Sequence, residues 1–170
     1  MDAPPVPGSR RLVLLRHAKS QWPEGVSDHE RPLTDRGRRD ATAAGRWLRA
    51  HLDDLGDRLD AVACSTARRA RQTWALVAAE LADPPEAAFD GAIYAAPPDA
   101  LLAVVGDLPD DAATALLVGH NPGLQQLVGL LSGEDAEMRT ASVAALAWTG
   151  RWSDVTEHIA SLEQNTTPRG

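Results

Sequence analysis

Two histidines stand at points of the chain where short apolar runs end. Arg16 and His17 directly follow residues 12–15, and His120 comes one glycine after the apolar run 113–118. Runs of this length and composition are typical of buried central strands. A neutral imidazole can attack phosphorus and form a covalent phosphoramidate, which divides one difficult displacement into two easier ones. Neither histidine alone indicates a function, but together with arginines at neighbouring strand ends they indicate phosphoryl chemistry.

A third polar segment contributes cations. Arg68, Arg69 and Arg71 lie just beyond the apolar run 59–64, in the first turns of a predicted helix. Positive charge at a helix N-terminus opposes the helix dipole, so this placement is unfavourable unless an anion binds nearby. A solvated basic surface accounts for two of the three arginines, which leaves one for the anion.

These polar segments are expected to meet at one edge of a sheet. The carboxyl ends of parallel strands share such an edge, and ligands bind there in α/β proteins. Forked arginine donors suit the oxygens of a phosphoryl dianion, and this chemistry requires neither a metal nor a cofactor. The sequence contains no glycine-rich loop ending in Lys-Ser or Lys-Thr and no His-Glu-x-x-His pattern. Neither an NTPase nor a zinc protease is therefore supported.

The elements that must position these residues alternate between strand and helix. The predicted strands cover residues 12–15, 59–64, 87–89, 113–118, 143–148 and 158–162, and the predicted helices cover 35–51, 65–81, 98–108 and 124–131. Thr34 is predicted to cap the first helix, whereas Asn121 and Pro122 are predicted to cap and open the last. Because parallel strands need helical crossovers, this order predicts a three-layer α/β sandwich with a largely parallel sheet.

Length and composition fit one globular domain. The chain has 170 residues, of which 44% are hydrophobic and 24% are charged. We predict a flexible proline-rich leader over residues 1–10, a single domain over 11–163 and a C-terminal tail over 164–170. The net charge of −7 argues against nucleic acid as a partner. A lone cysteine, Cys64, and the lack of a membrane-spanning apolar run predict a cytoplasmic protein with no membrane partner.

Four segments, taken in order, resemble the histidine phosphatase superfamily, also called the phosphoglycerate mutase-like family. They are Leu-Leu-Arg16-His17-Ala-Lys-Ser, Arg31-Pro-Leu-Thr-Asp-Arg-Gly, Ser65-Thr-Ala-Arg-Arg69-Ala-Arg-Gln-Thr and Val-Gly-His120-Asn-Pro. The small size and the Arg-Pro-Leu-Thr and Gly-His-Asn-Pro segments are most similar to SixA-like phosphohistidine phosphatases. The resemblance covers about residues 11–163 and implies a three-layer α/β/α sandwich around a mixed sheet.

The resemblance also implies catalytic roles. His17 matches the family's nucleophile and transient phosphoryl carrier, and Arg16 beside it matches a residue that binds phosphate oxygens. Arg69, rather than Arg68, matches the second phosphate-binding arginine. His120 matches the second histidine, which hydrogen-bonds the phosphoryl group and stabilises charge in the transition state.

The leaving group separates the candidate substrates. An alkyl phosphate ester needs a proton for its alkoxide, so a Glu or Asp is expected as general acid. Asp28, Asp90 and Asp99 are the candidates, and none of them lies in a recognisable motif. A phosphohistidine leaves as imidazole and needs far less assistance, so a weak or absent acid favours a phosphoramidate substrate.

The prediction is therefore a metal-independent phosphatase that hydrolyses phosphohistidine on a protein through a covalent phosphohistidine on His17. One alternative is a phosphomonoesterase acting on a small sugar or nucleotide phosphate, which needs a carboxylate near the leaving group. Another is a non-catalytic module that binds phosphate or a phosphopeptide, which keeps the arginines but does not require His17.

Overall fold

A computed structural model describes residues 8–170, so residues 1–7 of the predicted leader lie outside the described part of the chain. The strands are β1 (Ser9–Arg16), β2 (Ala61–Ser65), β3 (Ala87–Asp90), β4 (Thr114–Gly119), β5 (Val143–Thr149) and β6 (Ser161–Thr166). The helices are α1 (Asp35–Leu55), α2 (Arg68–Ala78), α3 (Pro98–Gly106) and α4 (Gly123–Ser132). Three short 3-10 helices cover Asp28–Glu30, Gly91–Ile93 and Trp152–Asp154.

The strands form one mixed sheet in the order β3-β2-β4-β1-β5-β6. Neighbours among β3, β2, β4 and β1 pair in parallel, whereas β5 runs antiparallel to both β1 and β6. Five of the six strands therefore share one direction, which confirms the predicted, largely parallel sheet. Strands β1, β2 and β4 end at the same edge, where the polar segments begin.

Helices cover both faces of the sheet. In β1 the side chains alternate, so that Val13 and Leu15 join the core formed with α1 and α2. Leu12 and Leu14 point to the opposite face and join the core formed with α3 and α4. Residues 12–15 are uniformly apolar in the sequence because β1 is buried on both faces. The three-layer α/β/α sandwich is confirmed.

Several element boundaries differ from the prediction by a few residues. Strand β1 begins at Ser9, within the predicted leader, because its first residues pair through their backbone with the end of β5. Strand β6 runs to Thr166, three residues into the predicted tail, by the same kind of pairing. Helix α1 continues to Leu55 and ends at Gly56, whose φ of 67° is the left-handed conformation common after helices.

The starts of two helices also differ from the prediction. Helix α2 begins at Arg68, because Ser65 still belongs to β2. Helix α4 begins at Gly123, with Pro122 at the N-cap position, so the predicted roles of Asn121 and Pro122 are shifted by one residue. Asn121 nevertheless serves the first turn, since its Oδ1 accepts the backbone N–H of Gln125 at 3.1 Å. Within residues 8–170, no helix has both the length and the apolar character that crossing a membrane requires.

Candidate active site

A cavity of about 350 Å³ at the carboxyl edge of the sheet is lined by all four predicted site residues, Arg16, His17, Arg69 and His120. Arg16 and His17 come from the end of β1, Arg69 from the first turn of α2, and His120 from the turn between β4 and α4. The other lining residues are Lys19, Ser20, Trp22, Asp28, Arg31, Tyr94, Ala95, Asn121 and Thr140.

The imidazole of His17 is held in one tautomer. Its Nδ1 lies 2.8 Å from the carbonyl oxygen of Ala18. Because a carbonyl oxygen only accepts, Nδ1 carries the proton and Nε2 keeps its lone pair. Burial is the main cause that lowers the pKa of His17 to about 3, with smaller contributions from the positive charge of Arg69 and Arg16. At neutral pH the ring is therefore uncharged, with its lone pair on Nε2.

Arg69 contacts several polar groups at once. Its Nε donates to Nε2 of His17 at 3.3 Å, and its Nη1 donates to the backbone oxygen of Asp28 at 2.7 Å. Its Nη2 lies 3.2 Å from the Asp28 carboxylate and 3.4 Å from Nδ1 of His120. The guanidinium is thus fixed beside Nε2 of His17, and its forked donors suit the oxygens of a phosphoryl group.

Arg16 carries an N–H donor that remains available to a ligand. Its Nη1 donates to the backbone oxygen of Met138 at 3.1 Å, which fixes the guanidinium. Its Nε is buried and meets no acceptor within residues 8–170. A buried N–H group without a partner is costly, so a bound oxyanion at this position would satisfy it.

His120 is the second imidazole of the site, and its ring centroid lies 5.1 Å from that of His17. Its Nδ1 faces Arg69, which only donates, so Nδ1 accepts and Nε2 carries the proton. Nε2 then donates to Oγ of Ser65 at 2.7 Å. Burial first and the charge of Arg69 second lower the pKa of His120 to about 4, so this ring is also neutral at pH 7.

The spacing Ser65, Arg69, Thr73 has a structural explanation. Ser65 is the last residue of β2, whereas Arg69 and Thr73 lie four apart on one face of α2, and each of the three serves the site differently. Ser65 orients His120, and Arg69 reaches into the cavity. The hydroxyl of Thr73 accepts the backbone N–H of Ala18 at 3.0 Å and donates to the carbonyl of Arg69 at 2.7 Å. Helix α2 therefore holds the loop that carries His17.

Helix α1 supports the same loop from the other side. The carbonyl of Lys19 accepts the backbone N–H of Thr34 at 2.9 Å. Thr34 caps α1, as predicted, by accepting the backbone N–H of Gly37. A Cβ atom at Gly37 would lie 2.1 Å from the oxygen of Lys19, so only glycine permits this close approach.

Of the three candidate general acids, only Asp28 lines the cavity. Its Oδ1 accepts from Arg31 at 3.0 Å, and its Oδ2 accepts from Arg69 and from the hydroxyl of Tyr94. The hydrogen bond from Tyr94, followed by those from the arginines, lowers the pKa of Asp28 to about 2. Asp28 is therefore ionised and has no proton to give.

The other two candidate acids lie away from the cavity. Asp90 accepts the backbone N–H of Ala92 at 2.8 Å and so caps a 3-10 helix, and Asp99 is exposed in the first turn of α3. Neither lines the cavity, so neither serves the site as an acid. Within residues 8–170, no group of three or more His, Cys, Asp or Glu side chains could hold a metal ion.

Sequence reasoning assigned no site role to Arg31 or Tyr94. Arg31 is 6% exposed, donates to Ser20 Oγ at 2.8 Å and lies 3.5 Å from the ring centroid of Trp22. The pairing of Asp28 with Arg31, three residues later, was an available signal. Tyr94 lies in the loop after β3, and no sequence pattern near it predicted a position in the cavity.

The fold and the cavity define an α/β protein with arginine side chains beside a neutral imidazole at the carboxyl edge of its sheet. The sequence profile of the histidine phosphatase superfamily (branch 1) matches residues 12–89. The uncharacterized protein Rv1276c of Mycobacterium tuberculosis is 39% identical over 166 residues, which cover 91% of this chain and 100% of the relative. The chain belongs to the histidine phosphatase superfamily, branch 1.

Solved structures agree with this assignment. SixA from Nakamurella multipartitia matches with a TM-score of 0.82 and 36% identity, over 95% of this chain and 97% of that chain. The protein histidine phosphatase SixA complexed with tungstate has the same fold, with a TM-score of 0.78 and 22% identity over 93% of this chain and 97% of that one. The resemblance to SixA-like proteins in the sequence is confirmed.

Proposed function

We propose that this protein is a phosphatase that removes phosphoryl groups from phosphohistidine side chains of a protein, with His17 as the covalent carrier. One observation carries the proposal. The proton of His17 is held on Nδ1 by the carbonyl of Ala18, which leaves a neutral Nε2 inside a cavity that is also lined by three arginines and a second imidazole.

In the first step, the Nε2 lone pair of His17 attacks phosphorus. The bond between phosphorus and the substrate's ring nitrogen breaks, and its electron pair stays with the departing imidazole. Arg16 and Arg69 bind the phosphoryl oxygens, and the N–H of Arg69 that contacts Nε2 in the free protein turns to an oxygen. The carbonyl of Ala18 stabilises the positive charge that develops on the His17 ring through Nδ1–H.

In the second step, water attacks the phosphorus of phosphorylated His17. The bond between Nε2 and phosphorus breaks, its electron pair returns to Nε2, and inorganic phosphate is released with the atoms of the water. Arg16 and Arg69 bind the same oxygens in both steps, so one arrangement of donors serves both transition states. His120, whose one N–H donates to Ser65, accepts from Arg69 through Nδ1 and so helps to orient that guanidinium.

The charge of Asp28 supports a phosphoramidate substrate. Within residues 8–170 it is the one carboxylate that lines the cavity, and it is ionised. A phosphomonoesterase would need a carboxyl proton for its alkoxide, which disfavours that alternative. The cavity rim supports access by a protein side chain, because Trp22 is 77% exposed there.

A labelling experiment tests the proposal. The protein is mixed with a peptide that carries radiolabelled phosphohistidine, quenched in alkali and mapped by proteolysis. We expect label on the peptide containing His17, release of inorganic phosphate, and neither of these for His17→Ala. His158→Ala, which removes an exposed imidazole, is the matched control and retains both.

Three results would contradict the proposal. Retention of most turnover by His17→Ala would exclude this residue as the nucleophile. Binding of inorganic phosphate without release from any phosphorylated substrate would favour the non-catalytic module instead. A higher kcat/KM for a sugar phosphate than for the phosphohistidine peptide would favour the phosphomonoesterase.

A further inference from the structure

Asp28 is a charged group in the cavity to which the two chemical steps give no role. It belongs to the 3-10 helix Asp28–Glu30, and its carboxylate receives hydrogen bonds from Arg31, Arg69 and Tyr94. These donors come from three separate parts of the chain. A carboxylate has about four acceptor positions, so a substrate group can still bind to it.

Exposure places this carboxylate on the solvent side of the site. The side chain of Asp28 is 46% exposed, whereas His17 is only 7% exposed. In an in-line displacement the leaving group departs on the side of phosphorus opposite to the attacking nitrogen. Since His17 attacks from the buried side, the leaving group departs toward solvent, where Asp28 lies.

The ionised state of Asp28 is secured by its surroundings. Arg31 and Arg69 are the cations that contact it, and the Tyr94 hydroxyl donates to it. His29 and Glu30 follow it in the same 3-10 helix and contact each other, and His120 is neutral at pH 7. The cavity therefore combines positive charge around the phosphoryl position with one fixed negative charge at its outer side.

The charge on the leaving group distinguishes phosphohistidine from a phosphate ester. When the second ring nitrogen of a phosphohistidine is protonated, the ring is cationic, and cleavage of the bond to phosphorus returns an electron pair to it. The ring then leaves as neutral imidazole, and no proton has to be transferred. Without that proton it would leave as an anion, as an ester oxygen does.

Building on the proposed function, we propose that Asp28 accepts a hydrogen bond from the protonated ring nitrogen of the substrate and thereby selects phosphoramidates with cationic leaving groups over phosphate esters. A negative charge at this position favours the protonated, reactive form of the substrate ring. The same charge repels the negative oxygen that develops when an ester is cleaved. Asp28 is thus a residue that determines specificity rather than a proton donor.

The substitution Asp28→Asn tests this role, because it keeps the size of the side chain and removes its charge. We expect kcat/KM for a phosphohistidine peptide to fall by about 10-fold to 100-fold, since a charge-assisted hydrogen bond is lost. We expect kcat/KM for 4-nitrophenyl phosphate to rise. The alkaline limb of the pH profile should also move to lower pH for the phosphohistidine peptide, because the substrate ring loses its proton more easily.

Two further variants make the test decisive. Glu30→Gln removes one negative charge from the same 3-10 helix, but Glu30 does not line the cavity, so the ratio of the two kcat/KM values should stay within about twofold. Asp28→Ser has neither the charge nor an amide, and it should likewise lower kcat/KM for the phosphohistidine peptide and raise it for 4-nitrophenyl phosphate. Circular dichroism verifies that each variant is folded.

A purely structural role of Asp28 would give different results. If Asp28→Asn lowers kcat/KM for both substrates by the same factor and weakens the binding of inorganic phosphate, Asp28 only orients Arg69 and the inference is wrong. An unchanged pH profile for the phosphohistidine peptide would also overturn it. If the proposed function itself is wrong, the wild-type protein acquires no label on His17. This result distinguishes a failure of the proposed function from a failure of the inference about Asp28.

Discussion

Arg69 connects the parts of the cavity that come from different elements. Its three nitrogens reach His17 after β1, Asp28 in the following loop and His120 after β4. Only a planar group with several donors in fixed directions can make these contacts together. Its neighbour Arg68 is exposed and does not line the cavity.

This difference gives a prediction for Arg69→Lys. A lysine keeps the positive charge but has no fork, so kcat/KM for the phosphohistidine peptide should fall by about 10-fold to 100-fold. Arg68→Lys is the matched control one residue away and should change kcat/KM by less than about twofold. Steady-state kinetics on the three proteins measures both effects, and equal losses in the two variants would contradict the assignment of Arg69.

The four residues that the sequence pointed to all line the cavity, because strand ends in a parallel sheet converge and the pattern of strand ends is visible in the chain. Arg31 and Tyr94 were not found, because their place depends on loop conformations. The ionised state of Asp28 could likewise not be predicted from the sequence. It depends on a hydroxyl 66 positions away in the chain, and no local pattern encodes that contact.

At the scale of elements, two helices hold the loop that follows β1. Helix α2 holds it through Thr73, and helix α1 holds it through the close approach of Gly37 to the carbonyl of Lys19. The position of His17 therefore depends on how tightly α1 packs against this loop.

We predict that Gly37→Ala lowers both stability and activity. The new Cβ would overlap a backbone oxygen, which no rotamer change can relieve, so the free energy of unfolding should fall by about 1–3 kcal/mol or more. Displacement of the loop should lower kcat as well. Gly129→Ala in α4 is the control, since its nearest neighbour would be 3.8 Å away, and it should stabilise by about 0.5–1 kcal/mol. Urea unfolding and kinetics distinguish the two, and equal stability of the two variants would refute the packing argument.

The elements themselves could largely be predicted, because apolar runs and helical spacing are local properties of the chain. The predicted and observed bounds differ where backbone pairing between strands determines how far a strand extends. Ser9 and Thr166 extend β1 and β6 without apolar side chains, because neighbouring strands supply their hydrogen bonds. A pattern based on side chains does not report such pairing.

For the whole molecule, two neutral imidazoles inside the fold link the site to the stability of the protein. The pKa of His17 is lowered to about 3 and that of His120 to about 4, in both cases mainly by burial. In the unfolded chain both return to an ordinary value of about 6.5. Between these values the unfolded state binds more protons than the folded state.

The free energy of unfolding should therefore fall as the pH is lowered from about 7 to about 5, by up to about 2 kcal/mol for each of the two histidines. The loss starts near the unfolded pKa and is complete only below the folded pKa values. The carboxylate of Asp28 adds nothing in this interval, because its pKa of about 2 and its ordinary value both lie lower.

The variant His17→Asn isolates one of the two contributions, because asparagine does not titrate. Its stability should decrease less between pH 7 and pH 5 than that of the wild type, by up to about 2 kcal/mol, whatever its absolute stability. His158→Asn removes an exposed imidazole and should leave the pH dependence of the wild type unchanged. Urea unfolding at the two pH values measures each difference. If His17→Asn kept the full dependence of the wild type, the ring of His17 would have to take up its proton at the same pH in the folded protein as in the unfolded chain, and burial would then not be what keeps it neutral.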